Sequence, residues 1–238
     1  HVLYLKDKCD YILISNLCDY GKKDKVCPRF NITYYNIRQF IPASETLVLD
    51  INHKNNNQFF QLMKIGFKFS KNPLKIIYNY FLAKNKQKYY DQTKINEQKN
   101  KLFKPNKKIL IFSHFYNLQD KHFTSAIIDY LDNINIIPIY SDRLEEKTMI
   151  NFSEYFPRTI YWKYCQEMIG SLYYYKYQID GIIFISTNHC EIDDMVNNIA
   201  ILNNKELPIL KLIVDEKTTK LNIENKLDRF VNNLNNNI

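Results

Sequence analysis

Residues 182–196, Ile182-Ile183-Phe184-Ile185-Ser186-Thr187-Asn188-His189-Cys190-Glu191-Ile192-Asp193-Asp194-Met195-Val196, decide how this chain is read. A short apolar run rich in β-branched residues is the pattern of a strand buried on both faces. It gives way at once to polar residues carrying Cys190 and then to a helix-like spacing. A buried strand that turns directly into a helix belongs to a parallel α/β sheet, where ligands gather outside the carboxyl ends of the strands.

The same alternation extends outward on both sides. Upstream, Ile109-Leu110-Ile111-Phe112 is a strand, a helix is expected from about Lys121 to Asn133, and Ile136 to Tyr140 is the next strand. Helices follow around Leu144–Phe156 and Tyr161–Tyr177, and the strand at Gly181–Ser186 leads to a helix over Asp193–Asn203. The strand Ile209–Val214 and a helix over Ile223–Asn233 close the series. Four strand-helix repeats imply right-handed crossovers and one parallel sheet.

Upstream of Pro105 the pattern repeats in shorter form. Residues 2–8 read as the end of a helix, Tyr11–Ile14 as a buried strand, and Asn16–Arg29 as a loop holding Cys18 and Cys27. A helix around Asn31–Ile37, a strand at Thr46–Ile51 and an apolar-faced helix over Asn55–Ser70 come next. The stretch after Pro73 runs helically toward Leu102, turns highly polar over Lys84–Lys101, and reads as a solvated connecting helix. The expected fold is therefore α/β, with two Rossmann-like parallel-sheet subdomains: an incomplete N-terminal one with its connecting helix over residues 1–103, and a C-terminal one over 104–238. Because His1-Val2-Leu3 reads like the inside of a helix, the first subdomain is expected to be truncated at its N-terminus.

Composition bounds the function classes. No run approaches the ~18 apolar residues of a membrane-spanning helix, and the start lacks the pattern of a secretory leader. Five cysteines, at 9, 18, 27, 165 and 190, are an odd count without the dense spacing of a disulfide scaffold, so a reducing cytoplasm is the expected compartment. The formal charge is +8, but lysine and asparagine are spread along the whole chain and form no basic stripe, so nucleic acid is not an expected partner. Only four glycines are present, none in a Gly-x-Gly-x-x-Gly pattern, which argues against a dinucleotide cradle.

Three strand ends of the second half carry polar residues: Ser113-His114 with Tyr116, Asn117 and Asp120; Ser186 through Cys190, with His189; and Asp215-Glu216 with Thr218. In a parallel sheet these ends share one edge, so His114, Tyr116, Asn117, Asp120, His189, Asp215 and Glu216 are the candidates to line a pocket. Asp120 and Asp193 also suit helix capping. Cys9 and Cys165 have apolar neighbours and read as core residues, whereas Cys27, before Pro28, and Cys190 are the metal-ligand candidates. From residue types alone several chemistries stay open. Thiolates from separate loops suit an iron-sulfur cluster, although two are fewer than its usual four and no Cys-x-x-Cys is present. His114 and His189 with Cys27 and Cys190 would suit zinc. Cys190 at a helix start, with His114 as base and Asp215 or Glu216 orienting it, would suit a cysteine-dependent hydrolase. A cluster-free scaffold or interaction module is the further alternative.

Several segments together resemble one family. They are His1-Val2 with Asp10-Tyr11-Ile12, Cys27-Pro28-Arg29-Phe30, Ser113 through Asp120, Tyr161-Trp162 with Gly170, Asp180 through Phe184 leading to Cys190, Asp215-Glu216-Lys217-Thr218, and Arg229-Phe230-Val231. In their order and spacing they resemble the acyl-CoA dehydratase activase-related, or CoA-substrate-specific enzyme activase, proteins, relatives of the 2-hydroxyacyl-CoA dehydratase subunits. The resemblance implies an oxygen-sensitive [4Fe-4S] cluster of anaerobic metabolism, with Cys27 and Cys190 as two ligands and a third cysteine upstream of residue 1. It also implies a partner, an ATPase subunit or domain of actin-like fold, that drives a low-potential electron into the cluster for an acyl-CoA substrate. Relatives carry glycine around the third cysteine, where this chain has His189 and Glu191.

Overall fold

The structure is a computed structural model that describes residues 2–19, 25–42, 45–52, 58–156, 160–187, 190–215 and 217–236. The chain divides into two compact units, residues 1–90 with 161–163 and residues 91–160 with 164–238. Each contains a parallel sheet flanked by helices, the Rossmann-like α/β arrangement expected from the strand-helix alternation.

In the first unit, α1 (Val2–Leu5) precedes β1 (Ile12–Asp19), α2 (Pro28–Arg38) crosses over to β2 (Thr46–Asn52), and α3 (Gln58–Phe69) leads to α4 (Pro73–Leu102), whose residues from 91 onward belong to the second unit. β1 and β2 pair in parallel from Ile12 against Thr46 to Asp19 against Asn52, with an irregularity between Leu17 and Asp19. Ile12 and Ile14 bury one side of β1 against Ile41, Tyr34 and Ile37, while Leu13 between them stays exposed. The strand is longer than its apolar run. Cys18, expected in a loop, lies within β1, because the pairing continues through the polar residues Ser15 and Asn16, the latter donating from Nδ2 to Asp50 Oδ1 at 2.8 Å. Cys9, expected in the core, is exposed, and its thiol donates to the Leu5 carbonyl at 3.3 Å. α3 and the start of α4 meet closely: a Cβ on Gly66 would sit 2.4 Å from an Ile76 methyl.

In the second unit the strands are β3 (Lys108–Phe112), β4 (Ile137–Tyr140), β5 (Gly181–Thr187) and β6 (Ile209–Val214). All pair in parallel in the order β4-β3-β5-β6. Two helices, α5 (Phe115–Gln119) and α6 (Lys121–Asn133), join β3 to β4; α7 (Glu146–Ser153) and α8 (Lys163–Tyr175) lie between β4 and β5; α9 (Glu191–Leu202) joins β5 to β6, and α10 (Lys220–Asn236) follows. Ile109, Ile111, Ile183, Ile185, Leu212 and Val214 form one core with α6 and α10. Strand alternation turns Leu110, Phe112, Ile182 and Phe184 to the opposite face, where the Phe112 and Phe184 rings lie 4.7 Å apart. The chain travels one way from β3 to β4 and the other way from β4 through β5 to β6. Right-handed crossovers then put α7, α8 and α9 on the face opposite α6.

Two details fix this frame. Asn135, with φ of 56°, ends α6 in the left-handed region, and the Ile136 N–H returns to the Leu131 carbonyl at 2.9 Å, a Schellman-type stop. α4, exposed along most of its polar stretch, buries Gln98 completely. The Gln98 amide donates to the Tyr140 carbonyl at 2.9 Å and accepts from the Tyr140 N–H at 2.7 Å. A side chain thus does for the open edge of β4 what another strand would otherwise do.

Candidate functional site

The strand order places a topological switch point between β3 and β5, since the helices that follow these neighbouring strands leave toward opposite faces. That is where an open α/β sheet forms a crevice. The strand ends there are tied together by Ser113. Its hydroxyl donates to the Ile185 carbonyl at 2.7 Å and accepts from Asn117 Nδ2 at 3.1 Å. Ser141, after β4, donates to the Ser113 carbonyl at 2.9 Å and accepts from the Ser113 N–H at 3.3 Å. Three strands therefore end in one hydrogen-bonded knot.

His114 follows as the N-cap residue of α5. Its ring stacks on Tyr116, centroids 5.1 Å apart, and meets the Tyr164 ring edge-on at 6.5 Å. Nε2 approaches Asp193 Oδ1 to 2.6 Å, and the two side chains are only 7% and 2% exposed. That approach does not make a hydrogen bond, and the buried His114 Nδ1 has no partner among the described residues. Asp193 sits in the first turn of α9 with Glu191 and Asp194, where carboxylates favour the positive end of the helix. Cys190 is the N-cap residue of this helix and is buried. Ser186 and Asn197 are buried polar side chains whose polar atoms have no partner among the described residues.

A cavity of about 380 Å³ opens on the β3–β4 side of this crevice. Ser113, His114, Asp142, Arg143, Tyr164 and Glu167 are among the residues that line it. Burial pushes the Asp142 carboxyl above its ordinary range, while Arg143, Lys94 and a hydrogen bond from Gln119 pull the other way. The Arg143 guanidinium lies 3.7 Å from the centre of the Tyr140 ring, and among the described residues neither its Nε nor Asp142 Oδ1 has a partner.

The structure brings His114, Tyr116 and Asn117 together at the end of β3, but in different roles. Asn117 is buried and turned inward onto Ser113, and Asp120 directly precedes α6, its carbonyl accepting from Thr124. Asp215 closes a turn: its carboxylate accepts from the Thr218 hydroxyl at 2.7 Å and from the Lys217 N–H at 3.0 Å. Those two hydrogen bonds hold it below the ordinary carboxylate range. The carboxylate against His114 belongs to Asp193, which the sequence suggested only as a helix cap. His189 and Glu216 lie outside the described residues. Cys27 belongs to the first unit, half-exposed, at the N-cap of α2. Asp142 and Arg143 went unmarked in the sequence, although they follow β4 as directly as the other polar residues follow their strands.

Among the described residues no three or more histidine, cysteine, aspartate or glutamate side chains gather as a metal site. No helix among them is long and apolar enough to cross a membrane. The arrangement as a whole defines a parallel α/β protein with a crevice at its strand ends. A family model described as the CoA enzyme activase uncharacterised domain matches residues 1–144, more than half of the chain, and the chain belongs to that family. No curated protein and no solved structure matches it.

Proposed function

We propose that this protein serves a CoA-dependent enzyme by taking up a low-potential electron from an ATP-hydrolysing partner of actin-like fold. In this reading Cys27 and Cys190 each act as a thiolate ligand of a [4Fe-4S] cluster, and the electron is destined for the dehydration of a 2-hydroxyacyl-CoA. One observation carries the reading. Both cysteines are helix N-cap residues, before α2 and α9, and neither side chain spends itself on a capping hydrogen bond. A helix N-terminus favours negative charge, so each thiol suits a ligand that must bind as its anion. The donor chemistry therefore fits thiolate by thiolate, while the described residues contain no complete ligand set.

When bound, such a cluster supplies single-electron transfer, which amino-acid side chains do not. The chain's own groups do the rest. α2 and α9 orient the two thiols, burial keeps water from Cys190, and the Ser113 knot holds the β3 and β5 ends in register beside it.

The test is reconstitution with iron and sulfide under anaerobic conditions. Broad absorption near ~400 nm that bleaches in air is expected, together with loss of bound iron in Cys27→Ala and in Cys190→Ala. Protein that takes up no iron, or that keeps the chromophore in the double variant, would overturn the cluster. Zinc found in protein purified without air would favour the zinc site instead.

A further inference from the structure

We infer that the cavity at the carboxyl ends of β3 and β4 is a binding site for a small zwitterionic amine, its ammonium held by Asp142 and His114 and its carboxylate by Arg143. This inference is independent of the cluster.

The cavity, about 380 Å³, lies at the small end of the range for ligand pockets. Three of its lining side chains carry buried polar atoms with no partner among the described residues: Asp142 Oδ1, His114 Nδ1 and Arg143 Nε. Buried polar groups are rarely left unpaired, because nothing repays their lost hydration. Their polarity says what would satisfy them. The carboxylate oxygen of Asp142 is an acceptor. Nε2 of His114 already faces Asp193 at 2.6 Å, so Nδ1 is the ring nitrogen left to face a ligand. Arg143 Nε offers an N–H. A matching ligand presents donors at one end and an acceptor at the other. Asp142 and Arg143 are consecutive in the cavity wall, their Cα atoms ~3.8 Å apart, so a short ligand is the kind that could meet both.

The wider lining selects the sign of charge. Among the described residues of the wall, Asp91, Glu146 and Glu167 join Asp142, against Lys94 and Arg143. That excess of carboxylates disfavours a simple anion and favours a molecule carrying an ammonium. Phe115 and Tyr164 also stand in the wall and provide aromatic faces suited to a cation.

Three probes of equal chain length separate the parts: β-alanine with both charged groups, propylamine with the ammonium alone, and propionate with the carboxylate alone. Ligand-observed NMR on the whole protein, at up to about 50 mM probe to reach the affinities open to such small molecules, is expected to rank β-alanine first, then propylamine, then propionate. The near-isosteric Asp142→Asn should weaken β-alanine and propylamine about tenfold, the loss of one charge-assisted contact, and leave propionate no weaker. Arg143→Gln should abolish the advantage of β-alanine over propylamine. Circular dichroism would confirm that both variants fold. Propionate binding as well as β-alanine, no binding by any probe, or unchanged affinities in folded Asp142→Asn would each overturn the site.

Discussion

The side-chain amide of Gln98 forms a two-way hydrogen-bonded pair with the backbone of Tyr140, N–H to oxygen in both directions, and so closes the free edge of the second unit's sheet. The same Nε2 also donates to the Arg143 carbonyl at 3.1 Å and to the Tyr175 hydroxyl at 2.8 Å. Gln98→Ala would leave the buried Tyr140 N–H and carbonyl without partners, so a loss of about 2–6 kcal/mol is expected, at about 1–3 kcal/mol for each unsatisfied group. The urea midpoint measures it. Gln98→Glu should be no better, because a carboxylate keeps the acceptor but turns an anion toward two carbonyls. Wild-type stability in either variant would refute the edge-closing role.

Gly170 marks where α7 and α8 touch. A Cβ there would lie 1.7 Å from the Met149 carbonyl oxygen, a backbone atom that cannot rotate away. Gly170→Ala must push the helices apart and should cost about 3 kcal/mol, at the upper end of overpacking penalties. Met149 and Met168 also line the cavity, so the same variant should weaken β-alanine binding. A thermal melt and the NMR titration read the two effects separately.

Tyr130 gives the protein an alkaline signature. Burial, then its hydrogen bond to Asp228 and the charge of that carboxylate, push the phenol up to about 12. The folded value lies above the ordinary phenol value of about 10, so the contribution of the neutral phenol is complete below the unfolded value and is lost as pH rises through the folded one. Asp228→Asn should bring the transition down. The tyrosinate absorbance difference between the protein and Tyr130→Phe isolates this group from the other 18 of its 19 tyrosines.

The cysteines should separate by reactivity in the metal-free, reduced protein. Cys9 is exposed and Cys27 half-exposed, whereas Cys165 and Cys190 are buried. Iodoacetamide followed by peptide mapping should find Cys9 alkylated first and Cys165 and Cys190 only slowly, since access limits a buried thiol. Alkylation of Cys190 as fast as Cys9 would contradict its burial at the start of α9.

The strands were legible because their signals are local. The runs around Ile109, Ile137, Ile182 and Ile209 are apolar on both sides, as central parallel strands require, and they fall close to β3, β4, β5 and β6. β1 was read short, since the polar Ser15 and Asn16 look like loop residues until Asp50 is seen opposite Asn16. Gln98 could not be singled out within a run of lysine, asparagine and glutamine, because its partner Tyr140 is 42 residues away. The site was half legible. His114 and its neighbours stood out as polar residues behind a strand, but acids in a first helical turn suit the helix dipole wherever they occur. Asp193 was legible as a helix cap, but nothing local marked it rather than Glu191 or Asp194 as the carboxylate that meets His114, which the β3–β5 pairing picks out.

That pairing also sets an order of events during folding. β3 and β4 are joined by a short crossover, but β5 must return to β3 from far along the chain, and the Ser113–Ile185 hydrogen bond that seals the two spans 72 residues. Closing so long a segment is entropically costly, and contacts of such separation form late. His114 can therefore meet Asp193 only after β5 has docked. A nascent chain that has emerged only through β4 holds Asp142 and Arg143 but not the carboxylate that fixes the imidazole, so the completed crevice is a property of the finished sheet and a marker that synthesis has passed α9.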